Sequence, residues 1–467
     1  MFENVVQGIF SATFLAAILR VATPILLPSL AALISDKAGV IHIGLEGTML
    51  AAAFTGVALS AYAQQWFGPE TGRMVGPWLG LVGGVAIGVL MALLLGFLHL
   101  RLKADLILAG IALNILGSAG TVAIMFELTG DRGSTSRLAS LTMPFITLPT
   151  FIRDIPLIGG FIYDVFNNQS VMTWIAFIAV FVVWFMLYRT PFGLHLRATG
   201  ENMAAAQSVG IRAIRTRYYA LMLSGALAAM GGIHMSMGYL NMFQRDMTAG
   251  RGFIALATPL LGGGNPYGTA AASLMFGFFD AFAIRIGTLQ IPSQVPQMIP
   301  YVATVMALVI YALQTRQTQR FRALRATGVG SARTWRTLQS LSVLHVLLAM
   351  FAVIGVILSV GLFAAPNGFG GLAVAYPWGA VISLASLMLI GVNWPFIARL
   401  ERILEQPILS AAVTISSLTI YLALFLLLFF SPIAALLGGL ALSLLLWAAL
   451  GGLGLIVGEK LKLHVST

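Results

Sequence analysis

The sequence predicts an all-α, polytopic integral membrane protein: a helical bundle with broken or re-entrant helices and a C-terminal extension of about four further membrane helices. Three observations carry this. The chain of 467 residues is 59% hydrophobic and only 9% charged, with a mean hydropathy of +0.95, whereas soluble domains carry roughly a quarter charged residues. Apolar runs of bilayer length recur along nearly the whole chain. The alternating short strands of a membrane β-barrel are absent from the pattern. There is no cysteine, which excludes disulfides, thiolate metal sites and a cysteine nucleophile.

The spans read, in order, 12–33, 46–63, 79–98, 106–126, 171–188, 218–237, 250–262, 267–286, 298–313, 340–363, 376–393, 408–430 and 431–457. The first run, from Phe10 to Leu33, is too long for a signal-peptide core and has no basic region before it, so it reads as a retained membrane helix. Segment 250–262 is nearer re-entrant than spanning length. It opens on Gly250-Arg-Gly-Phe253 and closes on Gly262-Gly-Gly-Asn-Pro-Tyr-Gly268, which break a helix at both ends. Ser35–Gly47 is equally irregular, and it leaves the side of the N-terminus open. Non-helical backbone at membrane depth survives only where protein buries it or it lines a water-filled path.

Charge orients the bundle. Of the 26 Lys and Arg, 18 fall on one side, among them Lys37, Arg101, Lys103, Arg189, Arg197, Arg212, Arg215, Arg217 and the cluster Arg316–Arg336. The excess of basic residues places the Thr190–Arg217 loop and the 314–338 stretch in the cytoplasm. The formal charge of +11 is therefore an orientation signal with affinity for anionic lipid, and it does not argue for nucleic acid. A domain of residues 1–327 carries the irregular helices and the motifs. After a basic linker, residues 328–467 form a further block of membrane helices to which no chemistry is assigned.

The Thr190–Arg217 loop is the one long basic stretch between bilayer-length runs. Glu201 near the start of a short helix suits the positive end of its dipole. Ala204, Ala205 and Ala206 give a thin helix that can seat in a groove of another protein. Gly210 permits a sharp exit, and Ile211 can plug an apolar pocket. The bland alternative is a solvated loop that happens to be rich in alanine. The chain has no Gly-x-x-x-x-Gly-Lys-Ser/Thr loop, so any ATP and its Mg are handled by a partner.

Three segments resemble the permease subunits of bacterial ABC importers for ribose, simple sugars, nucleosides and branched-chain amino acids. They are Lys37-Ala-Gly-Val-Ile-His-Ile-Gly-Leu-Glu-Gly47, Gly200-Glu-Asn-Met-Ala-Ala-Ala-Gln-Ser-Val-Gly-Ile211, and Gly250-Arg-Gly-Phe253 through Leu260-Leu-Gly-Gly-Gly-Asn-Pro-Tyr-Gly268. Their order and spacing match over about residues 10–320. The Gly-Leu-Glu-Gly form leans to the nucleoside and simple-sugar branch, and His42 stands where the family typically has a small polar residue. The resemblance implies a multi-pass subunit of the bacterial inner membrane. It also implies an ATPase docked on a coupling helix at Gly200, Glu201, Asn202, Ala205, Gly210 and Ile211, and a second permease subunit, identical or homologous. An extracytoplasmic binding protein would meet the outer loop Glu127–Ser170, which holds Glu127, Asp131, Arg132, Asp154 and Asp164.

Intramembrane polar groups are the candidates for the path, because isolated ones are costly in lipid. Glu46 lies between Gly44 and Gly47, as a path carboxylate or a helix-start residue. Asn114 either hydrogen-bonds a sugar or base, or joins two helices. His234 reads as helix packing before ligand contact. Asp280 and Arg285, five apart, pair imperfectly, or Arg285 reaches the outer interface. The histidines are scattered, so no metal site is expected, and no catalytic pair is present. The rival class is a secondary transporter driven by an ion gradient, with Glu46 or Asp280 as its coupling carboxylate; that class leaves the cytoplasmic loop unexplained.

Overall fold

A computed structural model describes residues 12–155 and 159–286. The sequence spans from 298 onward, the basic linker and the boundary at 327/328 lie outside the described residues. What is described is almost entirely helical, and six of its helices are long and apolar enough to cross a membrane.

Helix α1 (Ala12–Lys37) is followed by the irregular segment Ala38–Gly44 and then by α2 (Leu45–Phe67). Helix α3 (Pro69–Gly96) ends in a π turn, Phe97–Arg101, and α4 covers Leu106–Thr129. The outer loop contains β1 (Phe145–Ile146), a short α5 (Gly159–Phe166) and β2 (Gln169–Ser170), with the two strands antiparallel. Helix α6 (Val171–Arg189) leads to the short α7 (Pro191–Glu201) and α8 (Met203–Ser208). Helix α9 (Ala213–Ile233) passes into a π turn, His234–Tyr239, and α10 (Arg251–Leu261) and α11 (Pro266–Ile286) complete the set.

The boundaries follow capping chemistry. Asp105 accepts from the amides of Ile107 and Leu108 at 2.9 and 3.0 Å to start α4, and Gly130 closes that helix with φ +69°. Ser170 caps α6 and Thr190, with Pro191 behind it, caps α7. Helix α3 starts ten residues before the expected span. Its polar first turns, Glu70-Thr-Gly-Arg73, read as loop, but Pro69 at the first helical position extends the helix past the apolar window.

Burial separates centre from periphery. The apolar window of α1 is 83% buried and that of α4 only 28%, so α1 is the axis and α4 a peripheral helix. Around α1, the chain brings backbones together with glycine rather than filling gaps with large side chains. Gly72, Gly76, Gly80, Gly84 and Gly88 form one stripe of α3, every fourth residue. A Cβ on Gly80 would lie 2.5 Å from the Gly56 carbonyl oxygen of α2, and one on Gly88 would lie 2.7 Å from that of Gly225 of α9. Small residues that let helices approach are the usual device where lipid removes the hydrophobic drive for helix association.

Gly80→Leu should force α2 and α3 apart and cost about 1–3 kcal/mol or more. The expected reading is a lower thermal midpoint in detergent at unchanged membrane insertion, and a midpoint equal to the parent would remove the stripe from the packing.

Candidate functional site: a half-helix held by a buried carboxylate

The site begins where α1 stops. Between Lys37 and Leu45 the backbone leaves the helix, and the groups it frees are met partly by backbone turns and partly by side chains. Gly39 turns with φ +72°. The Asn114 amide serves both sides of the break: its Nδ2 donates to the Ile43 carbonyl at 3.1 Å and its Oδ1 accepts from the Gly47 amide at 2.8 Å. Asn114 thus joins α4 to α2. It does so beside a glycine crossing so close that a Cβ on Gly117 would stand 2.4 Å from the Gly47 Cα. His42 is fully buried; its amide donates to Ser35 Oγ at 3.1 Å, and its Nδ1 lies 3.0 Å from Ser224 Oγ. The residue that departs from the family pattern is therefore a bridge from the break to α9.

Glu46 follows. It is buried, in the first turn of α2, and it caps a different helix. Its Oε1 accepts from Thr248 Oγ1 at 2.6 Å and from the Gly250 amide at 2.8 Å, and its Oε2 accepts from the Gly252 amide at 2.7 Å. These donors are the N-terminus of α10, where free amides and the helix dipole both favour negative charge. The Gly250-Arg-Gly252 motif is what permits the contact. Gly250 takes φ +78°, and a Cβ on Gly252 would lie 2.7 Å from both the Cα and the Oε2 of Glu46. The two sequence readings of Glu46, a path carboxylate or a helix-start residue, did not include its cross-helix partner, which was not legible.

Helix α10 has 11 residues and is about 16 Å long, half the hydrocarbon thickness. Its far end lies beside the ends of α1 and α6: Tyr188 Oη, one residue before the end of α6, donates to the Gly264 carbonyl at 3.4 Å, and Gly264 packs on the Lys37 side chain. The near end, with Glu46, therefore lies about 16 Å along the helix from the ends of α1 and α6. There Arg251 puts two nitrogens on one oxygen of Asp280 of α11, donating to Oδ2 from Nε at 3.0 Å and from Nη2 at 2.6 Å. Both side chains are largely buried, 17% and 14% exposed. Neither reading of Asp280 and Arg285, an imperfect pair or an Arg285 that reaches the interface, includes Arg251, the second residue of the Gly250-Arg-Gly252 motif, which reaches the Asp280 carboxylate from α10. Each of the two carboxylates offered as the coupling group of an ion-driven cycle, Glu46 or Asp280, thus has partners at the start of α10.

His234, in the π turn after α9, is fully buried and donates from Nε2 to the Arg20 carbonyl at 3.0 Å, a packing contact with α1.

The expected docking helix is two helices. Glu201 ends α7, and Asn202 caps α8 by accepting from the Ala205 amide at 3.0 Å. Gly200 is packed so tightly against the break that its Cβ would meet the Lys37 carbonyl oxygen at 2.2 Å. Arg217 Nε donates to the Ala38 carbonyl at 3.2 Å from the other side. Glu201, Asn202, Ala205 and Gly210 face solvent, while Ile211 is half-buried and Val209, 75% exposed, is the apolar side chain presented. On the outer face, loop residues Gly133, Thr135 and Met143 are stitched by backbone hydrogen bonds to Arg245, Phe243 and Met237. The acids Glu127, Asp154 and Asp164 lie exposed around this platform.

Comparison with known proteins gives one consistent result. The family described as branched-chain amino acid transport system / permease component matches residues 14–315. The guanosine ABC transporter permease protein NupQ of Bacillus subtilis (strain 168) is 35% identical over 300 residues, 62% of this chain and 89% of that protein. The nucleoside ABC transporter permease protein NupC of Lactococcus lactis is 32% identical over 302 residues, 63% of this chain and 91% of that one. A putative glucose ABC transporter permease protein of Haloferax volcanii, TsgC13, is 31% identical over 282 residues, 60% and 80% of the two chains. No solved structure matches.

The Arg251–Asp280 pair makes a sharp prediction. Asp280→Leu or Arg251→Met alone leaves one buried charge unpaired and should cost about 3–5 kcal/mol, whereas the double variant should recover most of the loss. Thermal midpoints of the three variants check this, and additive losses would contradict it.

Proposed function

The chain belongs to the permease-component family of the branched-chain amino acid transport system, and we propose that it is the membrane subunit of an ATP-driven importer for a nucleoside. It is a multi-pass membrane permease of the ABC transporter class. The finer reading rests on the Gly-Leu-Glu-Gly segment and on the two nucleoside permeases among its relatives. A simple sugar is the alternative cargo. In this reading an extracytoplasmic binding protein delivers the nucleoside to the outer platform. The path is completed by a second permease subunit, and separate ATPase subunits hydrolyse ATP with its Mg.

One observation carries the coupling mechanism: α7 is in van der Waals contact with the α1–α2 break, while α8 beside it faces water. An ATPase groove closing on α7 and α8 would move Gly200, and Gly200 has no side chain to give way against Lys37 and Gly39. The break transmits that displacement along Val40–Leu45 to Glu46, because Asn114 and His42 keep it from slackening. Glu46 then carries the N-terminus of α10, with Arg251 and Asp280. Helix α10, short and bounded by glycine at both ends, can pivot with little internal strain. The docking pair, the break and α10 act in this mechanism as one lever.

Two substitutions separate docking from transmission. Ala205→Arg should abolish both ATPase co-purification and uptake. Gly200→Val should retain co-purification but lower nucleoside uptake at least tenfold, because it displaces the break without touching the exposed surface. Uptake at the parental rate in Gly200→Val proteoliposomes would contradict the lever, and parental co-purification with Ala205→Arg would contradict the docking surface.

A further inference from the structure

The last turns of α6 present a face that is aromatic and then basic. Phe181, Trp184, Phe185 and Tyr188 stand at positions i, i+3, i+4 and i+7 of a helix long and apolar enough to cross a membrane, so they share one face. Phe181, Phe185 and Tyr188 are exposed, and Trp184 is half-buried. Ring centroids are 5.8 Å apart for Phe181 and Trp184, and 6.5 Å apart for Phe181 and Phe185. The face continues onto the start of α11, where the exposed Tyr267 ring lies 5.8 Å from Trp184.

Two guanidinium groups stand at the end of this face. Arg189, the last residue of α6, lies over the Trp184 ring at 5.6 Å, and Arg197 of α7 lies over the Tyr188 ring at 5.0 Å. The two rings are one helical turn apart. Glu201 follows Arg197 by four residues on α7, the spacing of a helical ion pair. Yet neither arginine is paired with a carboxylate among the described residues. An arginine over a ring engages the π face and leaves its N–H groups for another acceptor.

Toward the helix end the order is phenylalanine, then tryptophan and tyrosine, then arginine. A bilayer leaflet has the same order: acyl chain, headgroup boundary and phosphate. The guanidinium fork fits a phosphate. A soluble anion would meet the arginines but has no use for the exposed rings. A second copy docked face to face would bring the guanidinium groups of both chains together, a like-charge contact that costs affinity. A zwitterionic headgroup would set its own cation against the arginines.

We propose that this face, from Phe181 to Arg189 with Arg197 and Tyr267 beside it, binds anionic phospholipid of the surrounding bilayer. Acyl chains lie on the rings and phosphate meets the arginines. Tyr188 also donates to the Gly264 carbonyl in the turn between α10 and α11, so bound lipid lies against the end of the half-helix. The binding depends on neither the cargo nor the lever of Gly200 and Glu46.

The test is native mass spectrometry of the assembled transporter released from nanodiscs that contain phosphatidylglycerol and phosphatidylcholine in equal amounts. The parent should retain phosphatidylglycerol in preference. Arg189→Gln with Arg197→Gln should lower that preference about tenfold, and the corresponding double lysine variant, which keeps the charge, should hold most of it. Arg189→Gln alone, outside α7, should show part of the loss even where the double variant fails to assemble. Removing an exposed basic pair elsewhere, by Arg101→Gln with Lys103→Gln, should leave the preference as in the parent. Equal retention of the two lipids by the parent, or an equal loss in the Arg101 and Lys103 variant, overturns the proposal. So does loss of pairing between permease copies in the Arg189 and Arg197 variant at unchanged lipid retention, which assigns the face to a second copy.

Discussion

A helix that begins inside a membrane must find acceptors for its first amides where there is no water, and in this protein the Glu46 carboxylate supplies them. Three hydrogen bonds to one charged group are each worth about 1.5–3 kcal/mol net, and the aligned dipole of α10 adds to them. The arrangement is reciprocal. A buried carboxylate is tolerable in lipid only if it is satisfied, and the α10 terminus is among the few groups at that depth able to satisfy it. Much else is arranged around this contact. Gly250 and Gly252 admit the carboxylate, Asn114 and His42 position the break that carries it, and Arg251 and Asp280 secure the same helix end against α11.

The contact also explains why irregular backbone is concentrated in two segments distant in sequence. The break at Ala38–Gly44 and the loop before α10 are two halves of one polar junction, each providing what the other lacks. Because the break touches Gly200, the junction is mechanically continuous with an exposed helix pair. A rigid, glycine-close connection from the surface to the half-helix is what an externally driven gate requires. A carboxylate that must load and release an ion on alternate sides requires the opposite, a partner it can leave.

Much of this was legible in the sequence, for a physical reason. Bilayer-length apolar runs, glycines bracketing 250–262 and one basic amphiphilic loop are local signals, and the described helices coincide with them to within a few residues except at α3. The partners of the polar groups were not legible. Glu46 and Thr248 are separated by most of the described chain, and Asp280 meets Arg251, 29 residues away in sequence, which no helical spacing brings to notice. The cytoplasmic element divided in two at Asn202, whose side chain is a better helix cap than Glu201 is a first-turn residue. The glycine stripe of α3 was visible at every fourth position from Gly72 to Gly88; reading composition without period concealed it.

The absence of native cysteine makes the lever directly measurable. Spin labels at Ala205→Cys on α8 and Phe253→Cys on α10, both exposed positions, report the distance between the docking pair and the half-helix by double electron–electron resonance in the assembled transporter. If α8, the break and α10 move as one body, the distance distribution is the same without nucleotide and with ATP trapped, while the distance from either label to one at Leu128, at the outer end of α4, changes. A shift in the Ala205–Phe253 distance on ATP binding, with α10 fixed relative to Leu128, would contradict transmission through Gly200 and Glu46.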